Sequence, residues 1–425
     1  HFKLIMEEKK ITATGLVVWL TCAIFFLYEF LLRTVIGTFQ HPIMADLELT
    51  TFKFSLLSST TYLIVYGFMQ IPVGIIVDNF GLKLTLGFAV IVCSLATLGF
   101  AFTYNYHYAI IFRMLTGFGS AFGLICLFMA VYEWLPSNRI GLFIGLSQFI
   151  GTLGPIVAAG PLDSLSNSGS VHWRLIFIYL SFIGAIISLL VFLFVKNNHI
   201  KSGKYTILYK PLGIKKNILT LFRSSQPWFI AIFCGIIYFS IEYFSENEGK
   251  NFIELKGHSS NFASYLITLS WVGYGIGCPT LGFFSDYFQR RRIFLLISSI
   301  FSFVGVVFLV YFINKYFLIL GFFFIGLGAS GVSIGFALMA EQFKSNFTAA
   351  GLGLNNAVVT TLSAFLAPLF GYILEHHSVN NMQLSDYSFT FSFLVLLVLL
   401  SIFIPLFFIK ESYCKSLASF TVLKT

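Results

Sequence analysis

The chain has 425 residues, of which 57% are hydrophobic and only 10% charged, and its formal net charge is +9. A soluble domain carries about 25% charged residues. This composition therefore excludes a disordered chain, a nucleic-acid-binding domain and a soluble multidomain enzyme. A bilayer is the natural solvent for such a sequence.

Apolar runs of about 20 residues, long enough to cross roughly 30 Å of hydrocarbon as a helix, fall near 13–38, 54–77, 83–102, 106–132, 140–162, 173–195, 227–249, 260–285, 292–312, 316–340, 347–374 and 387–409. The runs are continuous rather than alternating, and backbone groups in lipid must be satisfied within each span. Twelve transmembrane helices and no strands are expected, an all-α membrane protein. The first run is too long for a cleavable signal peptide. The chain opens on His1, so Met6 is the expected start and residues 1–5 carry no argument. The longest polar stretch, about 196–226, is rich in Lys. It predicts an N-terminal six-helix bundle at 1–195, a cytoplasmic linker at 196–226, and a C-terminal bundle with a short tail at 227–425.

Lys and Arg set the orientation. With both termini cytoplasmic, nineteen of the 26 fall on the inner side, from Lys3 and Lys9 through the linker to Lys424. Five fall outside: Lys53, Arg174, Lys250, Lys256 and Lys315. That asymmetry is the positive-inside signature, and it explains the net charge without nucleic acid. Arg33 and Arg113 lie inside spans. The six cysteines, Cys22, Cys93, Cys126, Cys234, Cys278 and Cys414, have no metal or redox spacing and read as reduced structural thiols. No metal, cofactor or catalytic set is expected. The Lys-, Asn-, Ile- and Phe-heavy composition points to an AT-rich genome and a bacterial inner membrane.

The two halves are related. Gly74, Asp78 and Lys83 follow the second span, and Gly282, Asp286 and Arg291 follow the eighth. Glu133 and Glu341 end the fourth and tenth. Every pair is separated by 208 residues. Both copies lie on one side of the membrane, so these are parallel repeats, which imply a substrate path at their interface.

Together, these motifs resemble the major facilitator superfamily of secondary transporters. The Gly-x-x-x-Asp-x-x-Gly-x-Lys pattern from Gly74 through Gly81 to Lys83 resembles that family's motif between helices 2 and 3; the second copy departs from it with Gln289 where the first has Gly81. Arg113 with Gly117 and Gly119 resembles the helix 4 motif, and Gly151, Gly154 and Pro155 the Gly/Pro-rich helix 5 motif. Phe25 to Arg33, with Gln70 and Pro72, is similar to bacterial nutrient, organic-anion and amino-acid branches and to lysosomal dipeptide transporters. The resemblance implies two six-helix bundles with pseudo-twofold symmetry, a monomer working in a lipid bilayer, a small-molecule substrate, protons as coupling ion and rocker-switch alternating access.

An ionisable group within a span should face the bundle interior and find a partner. Glu29 and Arg33 stand four apart on one face of the first helix, either as a structural pair or as a proton site and a carboxylate site. Arg113 reads as a carboxylate ligand, as a control on a neighbouring acid's proton, or as a tie to carbonyls of the N-terminal half. Glu242, in the seventh span, is a candidate proton carrier or amine ligand unless that helix ends early. Tyr28, Gln148, Asn355 and Asn356 are polar groups available to substrate or to helix pairing. Asp78, Lys83, Asp286, Arg290 and Arg291 sit at the cytoplasmic edge as gating groups, completed by Glu133 with Arg139 and by Glu341 with Lys344. Gly117, Gly151, Gly154, Pro155 and Pro368 serve close packing and bending. The reading is a proton-coupled importer of a small carboxylate-bearing nutrient such as an amino acid, short peptide or organic anion. The alternatives are a proton-driven exporter of a drug or siderophore-like metabolite and, behind it, a non-transporting membrane sensor.

Overall fold

The structure, a computed structural model, describes residues 11–49, 53–54, 56–162, 171–197, 224–343, 348–377 and 383–415. Lys344 and most of the linker expected at 196–226 lie outside the described residues. Among the described residues, twelve helices are long and apolar enough to cross a membrane: α1 Ala13–Thr38, α2 Leu56–Phe80, α3 Leu82–Phe102, α4 Tyr106–Trp134, α5 Ser137–Val157, α6 Trp173–Phe194, α7 Ser225–Ser245, α8 Phe262–Tyr287, α9 Arg291–Tyr311, α10 Lys315–Glu341, α11 Thr348–Leu374 and α12 Leu384–Phe408. No strand occurs among the described residues. Large apolar side chains such as Phe68, Leu95, Phe182, Leu193 and Phe365 stand on the surface, as the lipid-facing residues of a multi-pass membrane protein do.

The helices follow the apolar runs, with departures where the chain meets proline or leaves the hydrocarbon. Pro72, Pro155, Pro279 and Pro368 lie inside α2, α5, α8 and α11, the same two helices of each half. Each removes one N–H from the ladder, which favours bending there. The fifth run, read as one helix to 162, changes at Ala158 into a π turn, Ala158–Leu162, that contains Pro161. The seventh run stops at Glu246, and a separate short helix, Gly249–Leu255, follows.

The chain forms two compact units, His1–Ile140 with Ile150–Lys216, and Gly141–Phe149 with Asn217–Thr425. The first half of α5 is thus counted with the second unit. In the first unit α3 packs on α4 and α6, and α4 also takes α1 and α2. In the second, α9 packs on α10 and α12, and α10 also takes α7 and α8. The pairing is the same at a shift of six helices, as the 208-residue repeat requires.

The third helix of each half shows how its ends are satisfied. At the start of α3, the Lys83 N–H donates to Asn197 Oδ1 at 3.0 Å. At the start of α9, the N–H groups of Arg291 and Arg292 donate to the two oxygens of Glu411 at 2.8 and 3.0 Å. Asn197 and Glu411 each lie just beyond the last helix of their half. At the other end, Arg174 donates to the carbonyls of Ala101 and Thr103 at 2.8 and 2.6 Å. Lys256 Nζ donates to those of Leu309, Val310 and Phe312 at 2.5, 3.2 and 2.6 Å. Both cations meet carbonyls that a helix C-terminus leaves without intrahelical donors. The Lys256 ammonium is also 4.5 Å from the Phe252 ring centroid. Burial pushes its pKa down to about 8.

The turn before each third helix resolves the one departure in the repeated motif. Gly81 has φ +79°, and Gln289, which replaces it in the second copy, has φ +52°. The backbone keeps a positive φ even though the glycine is lost. Left-handed geometry in a non-glycine residue costs about 1–2 kcal/mol. At Gly81 a side chain is further opposed by Asn197, whose Oδ1 would lie 3.0 Å from an added Cβ.

Lys256→Ala removes the donor to three helix-end carbonyls and is expected to destabilise the protein by about 1–3 kcal/mol. The measurement is the melting midpoint of purified protein in detergent, which should fall relative to the parent and to the exposed Lys315→Ala.

Candidate functional site

In the first unit the buried acid of α1 meets α2 and α4. Glu29 is 2% exposed, and its Oε2 accepts a hydrogen bond from the Tyr62 hydroxyl at 3.1 Å. Tyr62 is 1% exposed and stacks on Tyr66, with ring centroids 5.8 Å apart and planes 14° from parallel. The Arg113 guanidinium carbon lies 4.6 Å from the Tyr62 ring centroid. Two glycines of α4 make this approach possible. A Cβ on Gly117 would sit 2.7 Å from the Tyr62 carbonyl oxygen, and one on Gly123 would sit 2.9 Å from Glu29 Cγ. Of these, Gly117 carries the helix 4 motif, whereas Gly123 stands outside it.

Arg113 is buried and spends its donors on carbonyls. Nη1 donates to Leu32 at 2.9 Å, Nη2 to Arg33 at 2.9 Å, and Nε and Nη2 to Ser58 at 3.3 and 2.9 Å. Ser58 belongs to a single π turn, Leu56–Thr60, that opens α2. The rigid guanidinium fork thus joins the C-terminal part of α1 to the start of α2. A narrow cleft beside it, with room for about one water molecule, is lined by Leu32, Ile36, Thr97, Phe100, Arg113, Thr116 and Phe177. Arg33 is half-buried, its guanidinium carbon 5.5 Å from the Phe30 ring centroid. Tyr28 is turned into the bundle, where its hydroxyl donates to the Leu180 carbonyl of α6 at 2.9 Å.

In the second unit the acid of α7 is treated alike. Glu242 is 8% exposed, and the Ser363 hydroxyl of α11 donates to its Oε2. The rings of Tyr238 of α7 and Tyr274 and Trp271 of α8 form an edge-to-face series, with centroids 6.0 and 5.8 Å apart. Asn355 is fully buried, its Nδ2 3.8 Å from Cys234 Sγ. Gln148 and Asn356 are also buried, at 6% and 7% exposure.

The second copy of the repeated motif is a closed ionic network. Arg291 is fully buried. Its Nη1 donates to Asp286 Oδ1 at 2.7 Å and to Ser285 Oγ at 3.0 Å. Nε and Nη2 donate to Glu341 Oε1 at 3.1 and 2.8 Å. The Leu142 N–H donates to the second Asp286 oxygen at 2.8 Å, and the Ser412 hydroxyl to Glu341 Oε2 at 2.5 Å. Gly141 and Gly282 permit this: a Cβ on Gly141 would sit 2.7 Å from Arg291 Nη1 and 3.0 Å from the Gly282 carbonyl oxygen. Arg290 instead lies on the surface, 4.8 Å from the Tyr413 ring centroid. Burial pushes the neighbouring Cys414 thiol up to about 12.

In the first copy, Asp78 and Gly74 lie on the last turns of α2, Lys83 opens α3, Glu133 ends α4, and Arg139 closes the 3-10 turn Ser137–Arg139. Asp78, Lys83 and Glu133 are half-buried, where Arg291 is fully buried. In α5, a Cβ on Gly151 would meet the Phe26 ring and one on Gly154 the backbone of Leu27 and Leu31. Pro155 and Pro368 sit within their helices. Sequence reasoning missed Tyr62, Ser363, Asn197 and Glu411. The 208-residue repeat does not lead to Ser285 or Ser412, whose counterparts are Val77 and Lys204, and no spacing marks Tyr62 among 20 tyrosines.

A sequence profile of the Major Facilitator Superfamily matches residues 19–247 and 251–418. The chain belongs to the major facilitator superfamily, whose members are transporters and not enzymes. It is 25% identical over 266 residues to a hexuronate transporter of Bacillus subtilis (strain 168), covering 62% of each chain. It is 24% identical over 310 residues to an uncharacterized transporter of Schizosaccharomyces pombe, covering 68% of this chain and 62% of that one. The alignments thus span about 62% of the length of these curated relatives. Among solved structures, the proton:xylose symporter XylE superposes with a TM-score of 0.76 at 15% identity, covering 97% of this chain and 100% of that one. The Escherichia coli fucose:proton symporter FucP gives 0.66 at 15%, covering 92% and 99%. These likenesses establish the fold.

Arg291→Ala leaves Asp286 and Glu341 buried without the cation they share, a loss of about 3–5 kcal/mol. The expected outcome is a sharp fall in monodisperse protein on size-exclusion chromatography. Glu411→Gln keeps an acceptor at the α9 N-terminus and should cost only about 1 kcal/mol.

Proposed function

We propose that this superfamily member is a proton-coupled importer of a small organic anion, of the sugar-acid class, working by rocker-switch alternating access. The observation that carries the reading is the carboxyl of Glu29, buried in α1 with a hydroxyl partner from α2 and a guanidinium one residue beyond that partner. An acid kept inside a span is costly unless its charge is used, and a change of its protonation supplies the differential energy that a coupled switch needs. Glu242, held by Ser363 at the corresponding place in α7, is the second candidate proton site. Arg33 is the carboxylate partner we assign on α1, with Gln148, Asn355 and Asn356 as hydrogen-bonding groups. The Asp286–Arg291–Glu341 network and its half-buried counterpart in the first copy are the gating groups of this reading.

The substrate class rests on the relatives. One is a hexuronate transporter, and the two structural neighbours are proton symporters of xylose and fucose. A sugar acid combines the carboxylate read from the sequence with hydroxyl groups, and is preferred here over amino acids and peptides. The distribution of Lys and Arg supports cytoplasmic termini and a bacterial inner membrane. The unit we assign to function is a monomer of two six-helix bundles, 1–195 and 227–425, joined by the 196–226 linker.

The test is uptake by proteoliposomes offered labelled hexuronate, xylose, an amino acid and a dipeptide, with and without an inward proton gradient. Hexuronate uptake should rise with the gradient. Glu29→Gln should lower gradient-driven uptake by about tenfold or more, a loss of at least about 1.4 kcal/mol of coupling. Gradient-driven uptake that survives in Glu29→Gln moves the proton site to Glu242. Folded protein that takes up none of the four compounds overturns the importer reading in favour of export.

A further inference from the structure

Tyr62 lies between the two charged groups of α1 and α4, and it belongs to neither helix. Its hydroxyl bonds Glu29, its ring is covered by Arg113, and it stacks on Tyr66. The ring is fully enclosed and the glycine at 117 brings the α4 backbone against its own. The guanidinium, committed to the carbonyls of Leu32, Arg33 and Ser58, reaches the carboxyl through this ring. The other titratable or charged groups that act on Glu29 or Tyr62 are Arg33 of α1, Tyr66 of α2 and Cys93 of α3.

A carboxyl that changes charge in hydrocarbon asks two different things of one neighbour. Ionised, it needs a donor; protonated, it presents an O–H and needs an acceptor. A fixed cation serves only the first state, and a carbonyl only the second. A hydroxyl serves both by rotating. A guanidinium over the ring face adds an electrostatic contact that depends on where α4 stands against α2. We propose that Tyr62 is a positioning residue for proton coupling: its hydroxyl holds Glu29 in both charge states, and its ring ties that carboxyl to Arg113. The proposal rests on the reading of Glu29 as a proton site.

The decisive measurement needs no substrate. Infrared difference spectra between acid and alkaline buffer are recorded on lipid-reconstituted parent, Glu29→Gln and Tyr62→Phe. A carboxylic C=O band present in the parent and lost in Glu29→Gln identifies Glu29. In Tyr62→Phe, which keeps the ring beneath Arg113 and loses only the hydroxyl, that band should shift to higher frequency because a hydrogen bond to the carboxyl is gone. A band that stays in place overturns the role of Tyr62 and leaves the reading of Glu29 intact. No band attributable to Glu29 overturns both. In parallel, the ratio of gradient-driven uptake to gradient-free exchange of labelled hexuronate should fall about tenfold in Tyr62→Phe. Equal loss of both activities would mark a structural role and count against the proposal. Tyr62→His restores a ring group that both donates and accepts, and should recover about half of the ratio. Should Tyr62→Phe fail to yield monodisperse protein, Tyr62→His carries the test, and a folded Tyr62→His with no recovery overturns the proposal.

Discussion

Hydrocarbon offers no hydrogen bonds, so each polar group carried into it must find its partner in the protein. The arrangement of this chain follows from that constraint more than from packing of its apolar surface. With 10% charged residues, there are few such groups, and the buried ones are placed. Arg291 binds two carboxylates and a hydroxyl. Arg113 binds three backbone carbonyls. Lys256 and Arg174 close the C-terminal ends of α9 and α3, and Glu411 and Asn197 close the N-terminal ends. A helix tied at both ends by its own half moves with that half, which is what a rigid-body switch asks of its scaffold helices.

The twelve spans were legible because length and apolarity alone decide them. The 208-residue repeat singled out Asp286, Arg291 and Glu341 as edge groups; that they join one another in one network, rather than Glu341 pairing with Lys344, came from the structure. What the sequence concealed are partners whose chemistry is ordinary. Leu142 enters the network through its backbone N–H, which any residue but proline would supply. Asn197 and Glu411 differ in type but occupy the same place after the last helix of each half. Tyr62 is one of 20 tyrosines, and its distinction lies wholly in what α1 and α4 bring to it. Gln289 teaches the converse. The motif looks broken there, yet the backbone retains a positive φ, because the turn is held by its surroundings and a side chain tolerates it at modest cost.

The two copies of the motif differ in a way their residues explain. Lys83 offers a compact ammonium on a flexible stem, whereas Arg291 offers a planar fork whose arms can serve two carboxylates at once. Both carry a single positive charge, but the fork meets two carboxylates with separate arms, whereas one ammonium would have to gather both acids at a single point. Arg291 is accordingly without exposure, and Lys83 is half-buried. A common repeat therefore yields a fully buried cation in one copy and a half-buried one in the other.

Fixed and variable charges are also met by different partners. The permanent cation Arg113 is held by carbonyls, whose acceptor character never changes, and Arg291 by carboxylates. The two buried acids of α1 and α7 each accept from a hydroxyl on another helix, Tyr62 or Ser363. A hydroxyl is the weaker partner for a permanent carboxylate than an arginine would be, and the chain has arginines within a turn or two of Glu29. A hydroxyl can also accept the O–H of a protonated carboxyl, which an arginine, having donors alone, cannot do. On the reading proposed above, a hydroxyl partner at each acid suits a carboxyl that changes its charge.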